Sequence, residues 1–174
     1  MRENIVRGPW TRRMSLDDFY YRADQYLAVI AAKQKLLAST YKLLRAEKDI
    51  HPNQYKHIIN LIHKIGEPVQ KFCQLLETSA ELPEAVVPLR YLLAAALYEV
   101  DEQINELIAV VTRFRTSSYR HSKKIVKQDI QQKLGRLIKG CNDIGEEYYN
   151  LAERLLSRAK ITDRLYTIRS VSYL

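Results

Sequence analysis

The stretch IQQKLGRLIKGCNDIGEEYYNLAERL, residues 130–155, decides the fold. Its apolar residues recur at alternating intervals of four and three, which is the period of one side of an α-helix. The spacing predicts a helix over residues 122–159. Six side chains on its apolar side are predicted to be buried: Leu134, Leu137, Cys141, Ile144, Tyr148 and Leu151.

Three further segments show the same period, and turn-forming residues separate them. They predict helices over residues 16–47, 52–77 and 88–114. Ser15 is a suitable cap for the first helix, and Pro52 fits the first position of the second, where its missing N–H costs nothing.

Four long amphipathic helices joined by short loops indicate an all-α fold, an antiparallel bundle of four long helices. We expect the bundle to cover residues 15–160. A basic N-terminal arm precedes it over residues 1–14, and a short C-terminal tail without the apolar period follows over 161–174.

Composition excludes several classes of protein. The chain has 174 residues, of which 47% are hydrophobic and 28% charged, so it is neither a disordered polymer nor a fibre. Two cysteines, Cys73 and Cys141, are too few for a disulfide framework, and their spacing suits no zinc site. Both fall at core positions of the helical repeat, which predicts buried thiols in a reducing compartment or a virion. The longest apolar run, residues 91–98, is too short to span a bilayer, and residues 1–15 lack the apolar part of a secretory signal.

Positive charge is concentrated in one segment. The whole chain has 28 Lys and Arg against 20 Asp and Glu, a net charge of +8. Residues 113–140 hold nine of these bases and one acid, Asp129, so this segment alone accounts for +8. Arg120, Lys123 and Lys127 fall at core positions of the fourth helix. Because unpaired buried cations are prohibitive, we expect this helix end to project past the core or to face an acidic partner.

A solvated helix end is one explanation of the cluster, since long Lys and Arg stems reach water readily. The functional interpretation is a surface that binds nucleic-acid phosphates without reading base sequence. An acidic protein partner or an anionic membrane surface would also suit the charge. The candidate binding residues are Arg7, Arg12, Arg13, Arg113, Arg115, Arg120, Lys123, Lys124 and Lys127.

The N-terminal arm carries four arginines and the sequence Gly8-Pro9-Trp10, with no amphipathic repeat. Such a segment cannot bury enough area to order itself. We therefore expect Trp10 to contact a different chain, with the arginines turned towards phosphates or acidic side chains. Deleting the arm should then prevent assembly and leave the bundle intact.

Catalytic patterns are sparse. The chain has no Glu-x-x-His pair, Gly-rich phosphate loop, nucleophile elbow or Cys–His pair, and we expect no metal and no cofactor. The segment Arg115-Thr-Ser-Ser-Tyr-Arg-His121 resembles the element of the HEPN helical ribonucleases in which His follows Arg after a few residues. That resemblance implies metal-independent RNA cleavage, with His121 moving a proton and Arg115 stabilising phosphate charge. It covers seven of the 174 residues.

The leading hypothesis is a non-enzymatic structural subunit of a large assembly that binds nucleic-acid phosphates through a basic helix end and the arm. A helical bundle with a basic N-terminal arm resembles the architecture of coat proteins of some filamentous viruses. One alternative is a scaffold subunit of a large protein or membrane complex that docks on acidic partners. The other alternative is a ribonuclease.

Overall fold

A computed structural model of the chain describes residues 13–46, 51–78, 80–116 and 120–171. Within these ranges, the side chains of 114–124 and 161–171 are not described. No strand occurs in the described ranges, and the predicted all-α class is confirmed. The four long helices are α1 (Leu16–Ala46), α2 (Pro52–Glu77), α3 (Tyr91–Thr116) and α4 (Arg120–Val171).

The first two helices begin at their predicted residues and end within one residue of the predicted ends. The start of the third differs, because Val87–Leu89 form a separate short 3-10 helix and α3 begins at Tyr91. The fourth helix continues to Val171, whereas the apolar period predicts an end at residue 159. The segment after 159 contains neither Gly nor Pro, the residues that most disfavour a helix, so the loss of the apolar period does not mark the end of the helix. The division into arm, bundle and tail stays a prediction.

Each helix runs antiparallel to the next, and α1 also contacts α4, so the four helices form a closed ring. The Gln34 amide donates to Asn142 at 2.7 Å, and the Tyr148 hydroxyl donates to Asp24 at 2.7 Å. Residue numbers therefore rise along α4 as they fall along α1. The predicted antiparallel bundle is confirmed.

The core contains five of the six side chains selected in α4. Leu134, Leu137 and Ile144 have no exposed surface, and Cys141 and Leu151 are buried. Tyr148 is only half-buried, which corrects the prediction for this position. Its phenol reaches the edge of the bundle because the hydroxyl needs a polar partner, which Asp24 supplies.

Two helix starts are capped by side chains. The Ser15 hydroxyl accepts a hydrogen bond from the Asp18 N–H at 3.0 Å, as predicted for the first helix. At α2, the His51 N–H donates to the Gln54 side chain at 2.6 Å, and the His51 ring accepts from Asn53. The Met14 N–H donates to the Glu81 carbonyl at 2.6 Å, which ties the start of α1 to the connection between α2 and α3.

Candidate nucleic-acid interface

Antiparallel packing places two interhelical connections at one end of the bundle. The connection from α1 to α2 and the connection from α3 to α4 both lie there, because α1 and α3 end where α2 and α4 begin. The Gln131 side chain donates to the Leu44 carbonyl at 2.9 Å, which joins α4 to the last turn of α1. Residues far apart in the sequence are therefore neighbours at this end.

All four helices bring positive side chains to this end. The described residues 39–46, 51–60, 109–113 and 125–131 contain five Lys or Arg and one acid, Asp129. We call these five cations the basic end. They are Lys42, Arg45, Lys56, Arg113 and Lys127.

The cations of the basic end are mostly in contact with water. Lys42, Arg45, Lys56 and Arg113 are exposed, and Lys127 is half-buried. The Arg45 guanidinium lies 5.9 Å from the centre of the Tyr41 ring, a cation–π contact that holds it near the surface of α1. The end therefore presents fixed positive charge that a phosphate can reach.

The expectation that the start of α4 projects past the core stays a prediction, because the side chains of Arg120 and Lys123 lie outside the described residues. None of the described side chains from 125 to 129 is buried, and Ile130 is the first with no exposed surface. Lys127 is half-buried and stands one turn before Ile130.

The positive charge at the start of α4 has the sign that a helix N-terminus disfavours. A helix N-terminus carries partial positive charge and favours acidic residues, each worth about 0.3–1 kcal/mol at an exposed site. The first turn of α4 contains no acid, and by sequence it holds Arg120 and Lys123. Helix stability does not explain these cations, whereas a bound anion would be favoured by both the side chains and the helix end.

The structure divides the predicted binding residues into three groups. Arg113 and Lys127 belong to the basic end. Arg115, Arg120, Lys123 and Lys124 occupy backbone positions in the last turn of α3 and the first turns of α4, and their side chains lie outside the described residues. Arg13 is exposed at the opposite end of the bundle, beside the connection between α2 and α3.

The predictions for Arg7, Arg12 and Trp10 lie outside the described residues. Sequence reasoning missed Lys42, Arg45 and Lys56, since they lie outside the segment 113–140 that holds the excess positive charge. The signal that finds them is their position within two or three turns of a helix end, combined with the antiparallel order of the helices.

The second half of the basic segment has a different environment. Lys133, Arg136 and Lys139 line a groove of about 400 Å³ between α3 and α4. Across the groove stand Glu99, Glu102 and Glu106, and Asp143 lines it as well. The Lys133 ammonium lies 2.7 Å from a Glu106 carboxylate oxygen, and this hydrogen-bonded contact lowers the pKa of Glu106. The groove is close to neutral, so these three cations do not extend the basic end.

The candidate catalytic pair, Arg115 and His121, lies outside the described side chains. Among the described residues, no group of three His, Cys, Asp or Glu is placed to hold a metal ion. Both cysteines are free and buried, and burial raises the pKa of Cys73 to about 11 and that of Cys141 to about 12. They are protonated thiols at neutral pH and therefore poor nucleophiles.

No helix in the described part of the chain is both long enough and apolar enough to cross a membrane. Comparison of the chain with protein-family models, with curated proteins and with solved structures found no match.

Proposed function

We propose that this chain is a non-enzymatic helical-bundle subunit that binds the phosphate backbone of nucleic acid through its basic end. The observation that carries the proposal is the convergence of Lys42, Arg45, Lys56, Arg113 and Lys127 from four helices, against one acid in the same described turns. Arg115, Arg120, Lys123 and Lys124 extend the same end along the sequence, and Arg7, Arg12 and Arg13 form a second contact through the arm.

The physical basis is the release of counterions. Nucleic acid holds condensed cations along its phosphates, and each phosphate that Lys or Arg neutralises releases close to one of them. The basic end consists of helix ends, and its cations are spread over four helices instead of one helix side that could enter a groove. We therefore expect backbone contacts and affinity that depends little on base sequence.

The assembly part of the proposal rests on the architecture. A bundle with a basic end and a separate basic arm can hold a nucleic-acid strand at the basic end. It can contact a neighbouring subunit through the arm at the opposite end. Arg13, the first described residue of the arm, supports this separation, because it lies at the end of the bundle opposite the basic end. The protein would then act as a coat-like or nucleoprotein-like subunit.

The test measures the salt dependence of binding to single- and double-stranded DNA and RNA. A triple variant, Lys42→Gln, Lys56→Gln and Lys127→Gln, removes one cation from each of three helices. If each makes one phosphate contact, the slope of log affinity against log salt falls by about three units on a duplex. The affinity should fall equally for unrelated base sequences.

The matched control is Lys133→Gln, Arg136→Gln and Lys139→Gln, which removes the same charge from the groove. Its slope should stay close to that of the wild-type chain, because acids of α3 and α4 already neutralise those cations. Equal losses in the two triple variants would mean that net charge alone drives binding, which contradicts a site at the basic end.

Two outcomes separate the alternatives. Binding of an acidic polypeptide with no measurable binding of nucleic acid would favour a scaffold subunit that docks on acidic partners. Metal-independent cleavage of RNA that is lost in His121→Ala would favour the ribonuclease. Either result replaces the proposal.

A further inference from the structure

Helix α1 has two apolar sides, and only one of them is used inside the bundle. The inner side includes Phe19, Ile30, Leu37 and Leu44, which have at most 1% of their surface exposed. The second side is exposed, and its residues again recur at intervals of three and four. We call it the outer stripe, and it consists of Val29, Ala32, Leu36, Ser39 and Leu43.

The large members of the outer stripe are open to solvent. Val29 is 43% exposed, Leu36 48% and Leu43 59%. They stand seven residues apart, which places them in one row along α1. A row of this kind is the seam that a second helix covers in a coiled coil. Within the described residues no helix covers it.

The small members alternate with the large ones. Ala32 lies between Val29 and Leu36, and Ser39 lies between Leu36 and Leu43. Small side chains let two helix backbones approach closely, and the large side chains of the partner can then enter the spaces above them. A bilayer presents no side chains that could enter these spaces, so it gains nothing from the alternation of large and small residues. The pattern fits a helix better than a bilayer.

The flanks of the stripe are positive. Lys33 and Lys35 stand on either side of it on α1. Beside Val29, a groove of about 550 Å³ opens between α1 and α2, lined by Tyr26, Pro68 and a further cation, Lys64. The groove also contains Glu67, but that carboxylate is 2.7 Å from the Lys71 ammonium. The surroundings therefore favour negative charge on whatever docks here.

A second copy of this chain does not satisfy that requirement through the same stripe. Two-fold pairing of α1 with α1 centred on Leu36 brings Lys33 and Lys35 of the two copies together, and like charges across a helix pair are unfavourable. A helix with acidic flanks has the opposite charge and the same apolar period.

We propose that the outer stripe of α1 is the docking surface for an amphipathic helix of a partner protein, with apolar residues at heptad spacing and Asp or Glu on both flanks. The partner helix lies along Val29, Leu36 and Leu43, and its acids meet Lys33, Lys35 and Lys64. This surface runs along the side of the bundle, and only its Leu43 end adjoins the basic end, next to Lys42 and Arg45.

The test uses a labelled synthetic helix of about three heptads with Leu and Ala at the seam and Glu at the flanks. A second peptide has the same seam and Lys at the flanks. Fluorescence anisotropy with the full chain should show binding of the Glu peptide that weakens as salt rises. The Lys peptide should bind at least roughly tenfold more weakly, because its charges oppose those of the stripe.

Variants of the stripe locate the binding. Leu36→Gln with Leu43→Gln should weaken binding of the Glu peptide by roughly tenfold or more, because two apolar contacts are lost. Leu92→Gln with Leu156→Gln is the matched control, since Leu92 on α3 is 51% exposed and Leu156 on α4 is 59% exposed, and neither belongs to the stripe. The double variant Lys56→Gln, Lys127→Gln should bind the Glu peptide as the wild-type chain does, which distinguishes docking at the stripe from attraction to the basic end.

A charge exchange gives a second, independent measurement. Lys33→Glu with Lys35→Glu changes no apolar member of the stripe, so it stays informative if glutamine at 36 and 43 unfolds the chain. This variant should prefer the Lys peptide.

Equal binding of the two peptides, or no binding of either, would overturn the proposal. Binding to phosphatidylserine vesicles that depends on Leu36 and Leu43 would make the stripe a membrane surface instead. A concentration-dependent dimer in sedimentation that disappears in the Leu36→Gln, Leu43→Gln variant would make it a contact between copies.

Discussion

Two parts of α4 carry cations at similar density and have different surroundings. Lys133, Arg136 and Lys139 face acids across the groove between α3 and α4. Lys127 lies at the basic end, where the described turns of all four helices contain a single acid. Three of the four acids that line the groove, Glu99, Glu102 and Glu106, come from the neighbouring helix α3. The density of cations along a helix therefore does not set the net charge of the surface, because packing decides which acids lie alongside them.

Both parts belong to one packed helix, α4. The substitution with the largest expected effect on stability tests this packing. Leu137 is fully buried in the part that carries Lys133, Arg136 and Lys139, and Leu137→Ala should lower the free energy of unfolding by roughly 2–5 kcal/mol, through lost burial and the cavity left behind. Leu156→Ala, at an exposed position of the same helix, should change it by less than about 0.5 kcal/mol. Denaturant unfolding measures both. Similar values for the two variants would show that the apolar side of α4 is not packed as described.

Removing the acids of the groove should turn it into a second basic surface. In the variant Glu99→Gln, Glu102→Gln and Glu106→Gln, the three cations of α4 lose most of the acids opposite them. The slope of log affinity against log salt for duplex DNA should then rise by up to about three units.

The control is the triple variant Glu84→Gln, Glu146→Gln and Glu153→Gln. It raises the net charge by the same amount at exposed positions outside the groove. It should leave the slope nearly unchanged. A rise of equal size in the control would show that the position of the acids does not matter, and the contrast between the two parts of α4 would fail.

The groove also depends on the close approach of α3 and α4, which glycine permits. A Cβ at Gly140 would lie 2.7 Å from a methyl carbon of Val100 and 2.8 Å from the Gln103 side-chain oxygen. Gln103 can move, but Val100 is fully buried, so Gly140→Ala should cost roughly 1–3 kcal/mol of stability. A Cβ at Gly145 would have no neighbouring atom within 4 Å, and Gly145→Ala should add up to about 1 kcal/mol. Thermal unfolding of the two variants compares them, and stabilisation by both would mean that α3 and α4 are farther apart at Gly140.

The smallest effect concerns the titration of Glu106. Its pKa lies below the ordinary value, first because Lys133 donates a hydrogen bond to it and second because of the charge of Lys133. A lowered pKa means that the pair contributes to stability at neutral pH and that this contribution disappears as pH falls through the folded-state pKa. In Lys133→Gln, carboxyl NMR should show the pKa of Glu106 rising towards its ordinary value. An unchanged pKa would show that the contact with Lys133 does not lower the pKa of Glu106.

Tyr148 shows why the burial of some side chains cannot be predicted from the sequence. Its place in the four-and-three repeat is that of a core residue, and its ring does contact Phe72 and Tyr20. The hydroxyl, however, bonds to Asp24, which lies 124 residues earlier in the chain. Periodicity assigns the side of a helix, but it contains no information about the polar partner that a neighbouring helix supplies.

The sequence by itself determined the class of the fold, the four helices and the buried side of α4, because helical period and turn residues are local properties of the chain. It also determined that one segment carries the excess charge. Only the tertiary structure decided which cations gather where acids are few, since that depends on the residues that antiparallel packing brings alongside. Lys42 and Lys56 join Arg113 and Lys127 through this packing, while Lys133 meets Glu106 and is neutralised. Coulomb interactions depend on distance in space, and the fold alone sets that distance.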